Sequence, residues 1–196
     1  MLKELSKKNN QLKFLVYLMF FTSMPSVGDL MNYPLQVENF RKLGHLISMF
    51  GHSYLLRDTI NCLNNHPRVV EGNQSLLDSF VNCTDSELNA PLILALKSRK
   101  TIMTKLLLDC PSLKFDLSVA NNKNLPIHIA LCNKDFKSAL RILSIIDNRA
   151  INLQDQDGNT PFHLLMRYFG ADPYLCQQIA VALLKRGGDL RIRNYI

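Results

Sequence analysis

The residues that could do chemistry in this chain are its histidines, its cysteines and a short acidic cluster. His128 and His163 could act as general acids or bases near neutral pH. His45 and His52 lie seven residues apart, either side of Gly51, and a continuing helix would place them on one face. A metal would need a third and fourth ligand, and none is spaced to supply them. Cys132 has no base beside it at local spacing, so it reads as a buried thiol rather than a nucleophile. Asp155 and Asp157 alternate like the start of a calcium loop, but Gly158 follows too soon and no bidentate Glu comes later. They read as hairpin residues that bond their own backbone. No Gly-rich phosphate loop, G-x-S-x-G or H-E-x-x-H occurs. No catalytic residue, cofactor or metal is therefore expected.

The elements that position these residues must come from an ordinary globular composition. Of 196 residues, 47% are hydrophobic and 20% charged, which excludes a wholly disordered chain, a collagen and a polytopic membrane protein. The net charge of +7 would suggest an anionic partner only if it were clustered. Lys3, Lys7, Lys8 and Lys13 crowd the start, and Lys185, Arg186, Arg191 and Arg193 group near the end. No RNP, zinc or helix-turn-helix pattern accompanies them, so nucleic acid is not the expected partner. The five cysteines are odd in number and never closer than 21 residues, which fits a reducing, cytoplasmic compartment. The triplets at Asn73 and Asn82 match glycosylation sequons and matter only in a secreted chain. The apolar run 14–21 is too short to span a bilayer. It has the length of a signal-peptide core, but a long basic stretch precedes it and residues 23–28 offer a poor cleavage pattern. It is read as a buried helix joining the core of this chain or of a larger one.

Internal repetition organises the rest. Ala90-Pro91-Leu92-Ile93-Leu94-Ala95, Leu125-Pro126-Ile127-His128-Ile129-Ala130 and Thr160-Pro161-Phe162-His163-Leu164-Leu165 align, with prolines 35 residues apart twice. Apolar pairs follow at Leu107-Leu108, Ile142-Leu143 and Leu183-Leu184. The third pair arrives about six residues late, which places an insertion within residues 168–178. Pro suits the first helical position, Thr160 can cap the third helix, and Gly158 allows the positive φ of a tight turn. Helix starts are predicted near Pro91, Pro126 and Pro161, and second helices near Thr101, Lys137 and Cys176. The array should be elongated, each unit touching its neighbours.

These segments resemble the ankyrin repeat, a unit of about 33 residues with a T-P-L-H-x-A signature. The best match runs from Asp155 through Gly158, Thr160 and Pro161 to His163, with Leu183 to Asp189 as its second-helix ending. The resemblance covers residues 85–196 and implies an all-α, helix-turn-helix solenoid. It implies that His128 and His163 hydrogen-bond adjacent turns rather than catalyse. It also implies a non-catalytic scaffold that binds another protein through turn tips and first helices. The implied partner face comprises Asn122, Lys123 and Asn124, then Gln156, Asp157 and Asn159, extended by Arg167 and Tyr168.

Three regions follow: an N-terminal helix and connecting loop over 1–36, a helical region over 37–84, and the repeats over 85–196. Within the second region, 37–50, 54–63 and 75–81 have helical spacing, and 54–81 could be a degenerate repeat. Two further functions remain open: a regulatory or docking segment of a larger enzyme, channel or assembly, and a secreted effector that captures a host protein. Residues 190–194 read as the lead into another turn, so further repeats or a partner subunit are expected to cover 179–196.

Overall fold

A computed structural model describes residues 44–45, 47–48, 51, 53–65, 69–70, 74–75, 80–82, 84–85, 89–110 and 125–195. The expectations for 1–36, including the apolar run, and for Asn122, Lys123 and Asn124 lie outside the described residues. The described chain is helical apart from one small antiparallel ladder. Its helices are α1 (Ser53–Asn65), α2 (Pro91–Lys97), α3 (Thr101–Leu108), α4 (Pro126–Cys132), α5 (Phe136–Ile145), α6 (Pro161–Arg167) and α7 (Pro173–Lys185). Residues 44–45, 47–48 and 80–82 are also helical. Strands β1 (Val69–Val70) and β2 (Gln74–Ser75) pair with Val69 opposite Ser75. Ser75 is therefore in a strand, and of the helix expected over 75–81 the described residues 80–81 are helical.

Each of the three prolines opens a helix, because the residue before it is extended and Pro at the first position has no N–H to lose. Thr160 caps α6, whereas Ala90 and Leu125 give α2 and α4 no side-chain cap. Helices α2 and α4 end alike. The Arg99 amide donates to the Leu96 carbonyl and the Lys100 amide to Ala95; Lys134 and Asp135 repeat this on Leu131 and Ala130. The pattern is a Schellman motif, whose turning residue takes positive φ. Arg99 (φ 53°) and Lys134 (φ 60°) hold that place, and Gly187 (φ 89°) holds it after α7. Asp135 then caps α5 by accepting from the Ser138 amide.

The second helices start at Thr101, Phe136 and Pro173. In the third pair a 3-10 turn at Phe169–Ala171 takes up part of the insertion, and the 13-residue length of α7 takes up the rest. Helices pack within pairs, α2 on α3, α4 on α5 and α6 on α7. They also form two rows, α2–α4–α6 and α1–α3–α5–α7. The core between the rows is a continuous seam that includes Leu96, Leu107, Leu131, Ile142, Leu165 and Leu183.

Helix α1 thus lies in the row of second helices. Residues 44–45 and 47–48, helical too, precede it, and Gly51 between them turns at φ 79°. The window 54–81, which could be a degenerate repeat, holds most of α1 and the ladder of β1 and β2, with residues 80–81 helical.

Candidate functional site

The turn before α6 is built from the Asp155 carboxylate. Its Oδ1 accepts from the amides of Asp157 (3.0 Å) and Asn159 (2.7 Å). The Asp155 amide returns a bond to the Asn159 carbonyl at 2.9 Å, and Gly158 turns at φ 77°. The turn before α2 repeats this chemistry: the Asn89 amide donates to Asp85 Oδ1 at 2.8 Å, and the Asp85 amide donates to the Asn89 carbonyl at 3.1 Å.

Histidines tie each turn to the preceding pair. His128 Nε2 donates to the Asn159 carbonyl at 3.1 Å, and His45 Nε2 donates to the Asn89 carbonyl at 2.9 Å. His163 serves its own helix. Its Nδ1 accepts from the Thr160 amide (3.2 Å) and hydroxyl (2.8 Å), while its own amide donates to Thr160 Oγ1. Leu125 stands where Thr160 stands, so His128 Nδ1 is buried without a hydrogen-bond partner. Burial pushes the His128 pKa below its ordinary value, against the opposing pull of the Asp155 carboxylate.

The expected contact residues divide. Gln156, Asp157 and Arg167 are exposed at the turn tip and at the end of α6. Tyr168 is half-buried, and the Lys134 ammonium sits 5.7 Å above its ring. Asn159 departs from the expectation. It is fully buried, its amide and Nδ2 bond Asp155, and its Oδ1 accepts from Asn194 Nδ2 at 3.0 Å. Its polar groups are spent inside the array, so its place is structural. Cys132 also departs, because the thiol expected to be buried is exposed at the end of α4. Partial burial and the neighbouring Asp155 carboxylate still push that thiol up, the wrong direction for a nucleophile.

The basic group near the end is partly consumed. Arg186 donates to the Leu143 and Ile146 carbonyls and to Asn148 Oδ1, closing the C-terminal end of α5 from the neighbouring helix. Arg191 pairs with Asp189 and holds that carboxyl at about 2. Segment 193–195 runs beside the Asp155 turn: Gln154 Nε2 donates to the Arg193 carbonyl, and the Tyr195 amide to the Asp157 carbonyl.

Sequence reasoning named Arg167 but missed the surface column to which it belongs. Lys97, Cys132 and Arg167 each stand six positions after their proline, and all three are exposed. Arg99, Lys134 and Phe169 stand eight after and are exposed too. The 35-residue register was the available signal. Among the described residues, no three His, Cys, Asp or Glu side chains gather as metal ligands, and no helix is long and apolar enough to cross a membrane. No protein-family model and no curated protein matches the chain.

Proposed function

We propose that the chain is a non-catalytic protein-interaction module built on ankyrin-like repeats, the first of them the pair at 44–65. The observation that carries this reading is the same bond in two different pairs, His45 to Asn89 and His128 to Asn159. It ties one pair to the turn of the next, as a stacked array requires. The polar groups of the repeated motif are thereby spent internally. The exposed side chains of Gln156, Asp157 and Arg167 vary free of that duty and supply the contact edge. The thiols of Cys132 and Cys176 are free, which supports a reducing, cytoplasmic setting.

The test is affinity capture with the full chain at native expression level, followed by joint replacement of Gln156, Asp157 and Arg167 with Ala. A specific protein should be captured, and its affinity should fall by about tenfold or more. The melting temperature should hold, since exposed changes usually stay within about 0.5 kcal/mol of neutral. Capture of no specific protein, or undiminished binding by the triple variant, refutes the reading.

A further inference from the structure

The exposed cations of the array are not all alike. Arg141, Arg149 and Arg191 are each neutralised by a carboxylate, Asp109, Asp147 and Asp189. Along the edge formed by the first helices and the turns after them stand Lys97, Arg99, Lys134 and Arg167, and none pairs with a carboxylate among the described residues. Neutral groups hold three of them in place. Lys97 Nζ donates to Asn89 Oδ1 at 2.7 Å, Arg99 Nε to Asn133 Oδ1 at 3.2 Å, and Lys134 lies over the Tyr168 ring. The Arg99 and Lys134 contacts reach across to the next pair, so the cations form one row rather than isolated points.

Two further features mark this row. Arg99 and Lys134 occupy positive-φ positions where glycine is the strain-free residue, as it is at Gly51 and Gly187. A long cation is kept there at the expense of backbone strain. At the far end the row meets exposed apolar surface, Met166 at 46% and Phe169 at 38%.

We infer that this edge is a docking track for an extended acidic segment of a partner protein. The inference rests on the interaction-module reading and names the chemistry of the partner. Stacked helices lie about 8–10 Å apart. An extended chain advances about 3.3 Å per residue. A carboxylate at about every third residue therefore meets Arg99, Lys134 and Arg167, one from each pair, with Lys97 adding a second cation in the first. A bulky apolar side chain at one end meets Met166 and Phe169. Asp157, exposed on the neighbouring turn, calls for a neutral or basic residue opposite it. A single-stranded nucleic acid fits less well, because base stacking needs open aromatic platforms interleaved with the cations; along this row Tyr168 is half-buried and already covered by Lys134, and Phe169 stands at one end.

The test uses the full chain and three fluorescent probes. One is a twelve-residue peptide with Glu at every third position and Leu-Phe at one end. A second has the same composition with its Glu residues contiguous, and the third is a single-stranded oligonucleotide. The spaced peptide should bind saturably and tighter than either other probe. Joint Arg99→Glu, Lys134→Glu and Arg167→Glu should weaken it by about tenfold or more. Equal charge reversal at the exposed Lys105, Lys137 and Lys185 should not. Substitution of the same three track residues by Gln, with melting temperatures measured in parallel, separates lost charge from lost folding. Absence of saturable binding, equal loss in the control reversal, or tighter binding of the oligonucleotide overturns the track. The two readings part on the captured partner. A partner whose affinity survives the track reversal overturns the track and leaves the module, whereas capture of no partner overturns the module itself.

Discussion

Gly158 and Gly187 both turn at positive φ, 77° and 89°, yet alanine should cost more at the first. An L-residue in the left-handed region costs about 1–2 kcal/mol. Removing glycine's freedom from the unfolded chain returns about 0.4–1 kcal/mol. The balance, about 1 kcal/mol of destabilisation, applies at both sites. At Gly187 a new methyl meets nothing within 4 Å, so strain is the whole effect. At Gly158 it would stand 2.8 Å from the Tyr195 ring. That ring is 68% exposed and can swing aside, so the added cost is its lost contact with the turn. One methylene's worth of burial, about 0.8 kcal/mol, is the scale of that loss. Gly158→Ala should therefore destabilise by about 2 kcal/mol and Gly187→Ala by about 1 kcal/mol, read from urea midpoints at unchanged slope. In a Tyr195→Ala background the cost at Gly158 should fall to that at Gly187. Equal costs in the native chain, or a cost at Gly158 that ignores Tyr195, would refute the argument that segment 193–195 packs on this turn.

Thr160→Ala should cost about 1 kcal/mol through the lost cap, and Thr160→Ser should recover most of it in the same melts. Arg186→Ala should destabilise by about 1.5–3 kcal/mol, because the carbonyls of Leu143 and Ile146 at the end of α5 lose a charged donor; Arg186→Lys should recover only part, since one ammonium cannot span both carbonyls and Asn148. His128 is held neutral by burial, so its folded pKa lies below the unfolded value of 6.5. Its contribution to stability is complete above that value and is lost as pH falls from there toward the folded pKa, where the unfolded chain binds the extra proton, at no more than about 1.4 kcal/mol per pH unit. Urea midpoints at pH 7.5 and 5.5 should thus converge in His128→Gln relative to the native chain; an unchanged difference would show that another group sets the acid limb.

The repeats were legible wherever a residue's identity fixes a backbone state. Proline at the first helical position located α2, α4 and α6 because its φ and its missing N–H suit that place alone. The upstream pair lacks that mark, since Leu43 stands where the others have proline. Its other marks were present. His45 precedes Gly51 by six residues, as His128 precedes Lys134, and Asp85 precedes Asn89 by four, as Asp155 precedes Asn159. Reading His45 beside His52 as a failed metal pair hid the first of these. The even 35-residue count hid the rest, because residues 66–88 break the spacing without breaking the packing of α1 on α3.

The exposed surface was harder to read, for a different physical reason. A polar residue in a turn has the same identity whether its partner is water or the protein's own backbone. Gln156 and Asn159 look equivalent in the sequence, yet one is exposed and the other is enclosed by Asp155, Asn194 and the His128 ring. Only a second constraint separates them, and that constraint is what the preceding pair presents to the turn. The same constraint acts on the helices. Position six after each proline is exposed in all three pairs, so Lys97, Cys132 and Arg167 differ in chemistry while sharing a place. A column that keeps its exposure and changes its residue is free of the core's demands. The fold thus fixes which columns are exposed, while the residues in those columns set the chemistry that the surface presents.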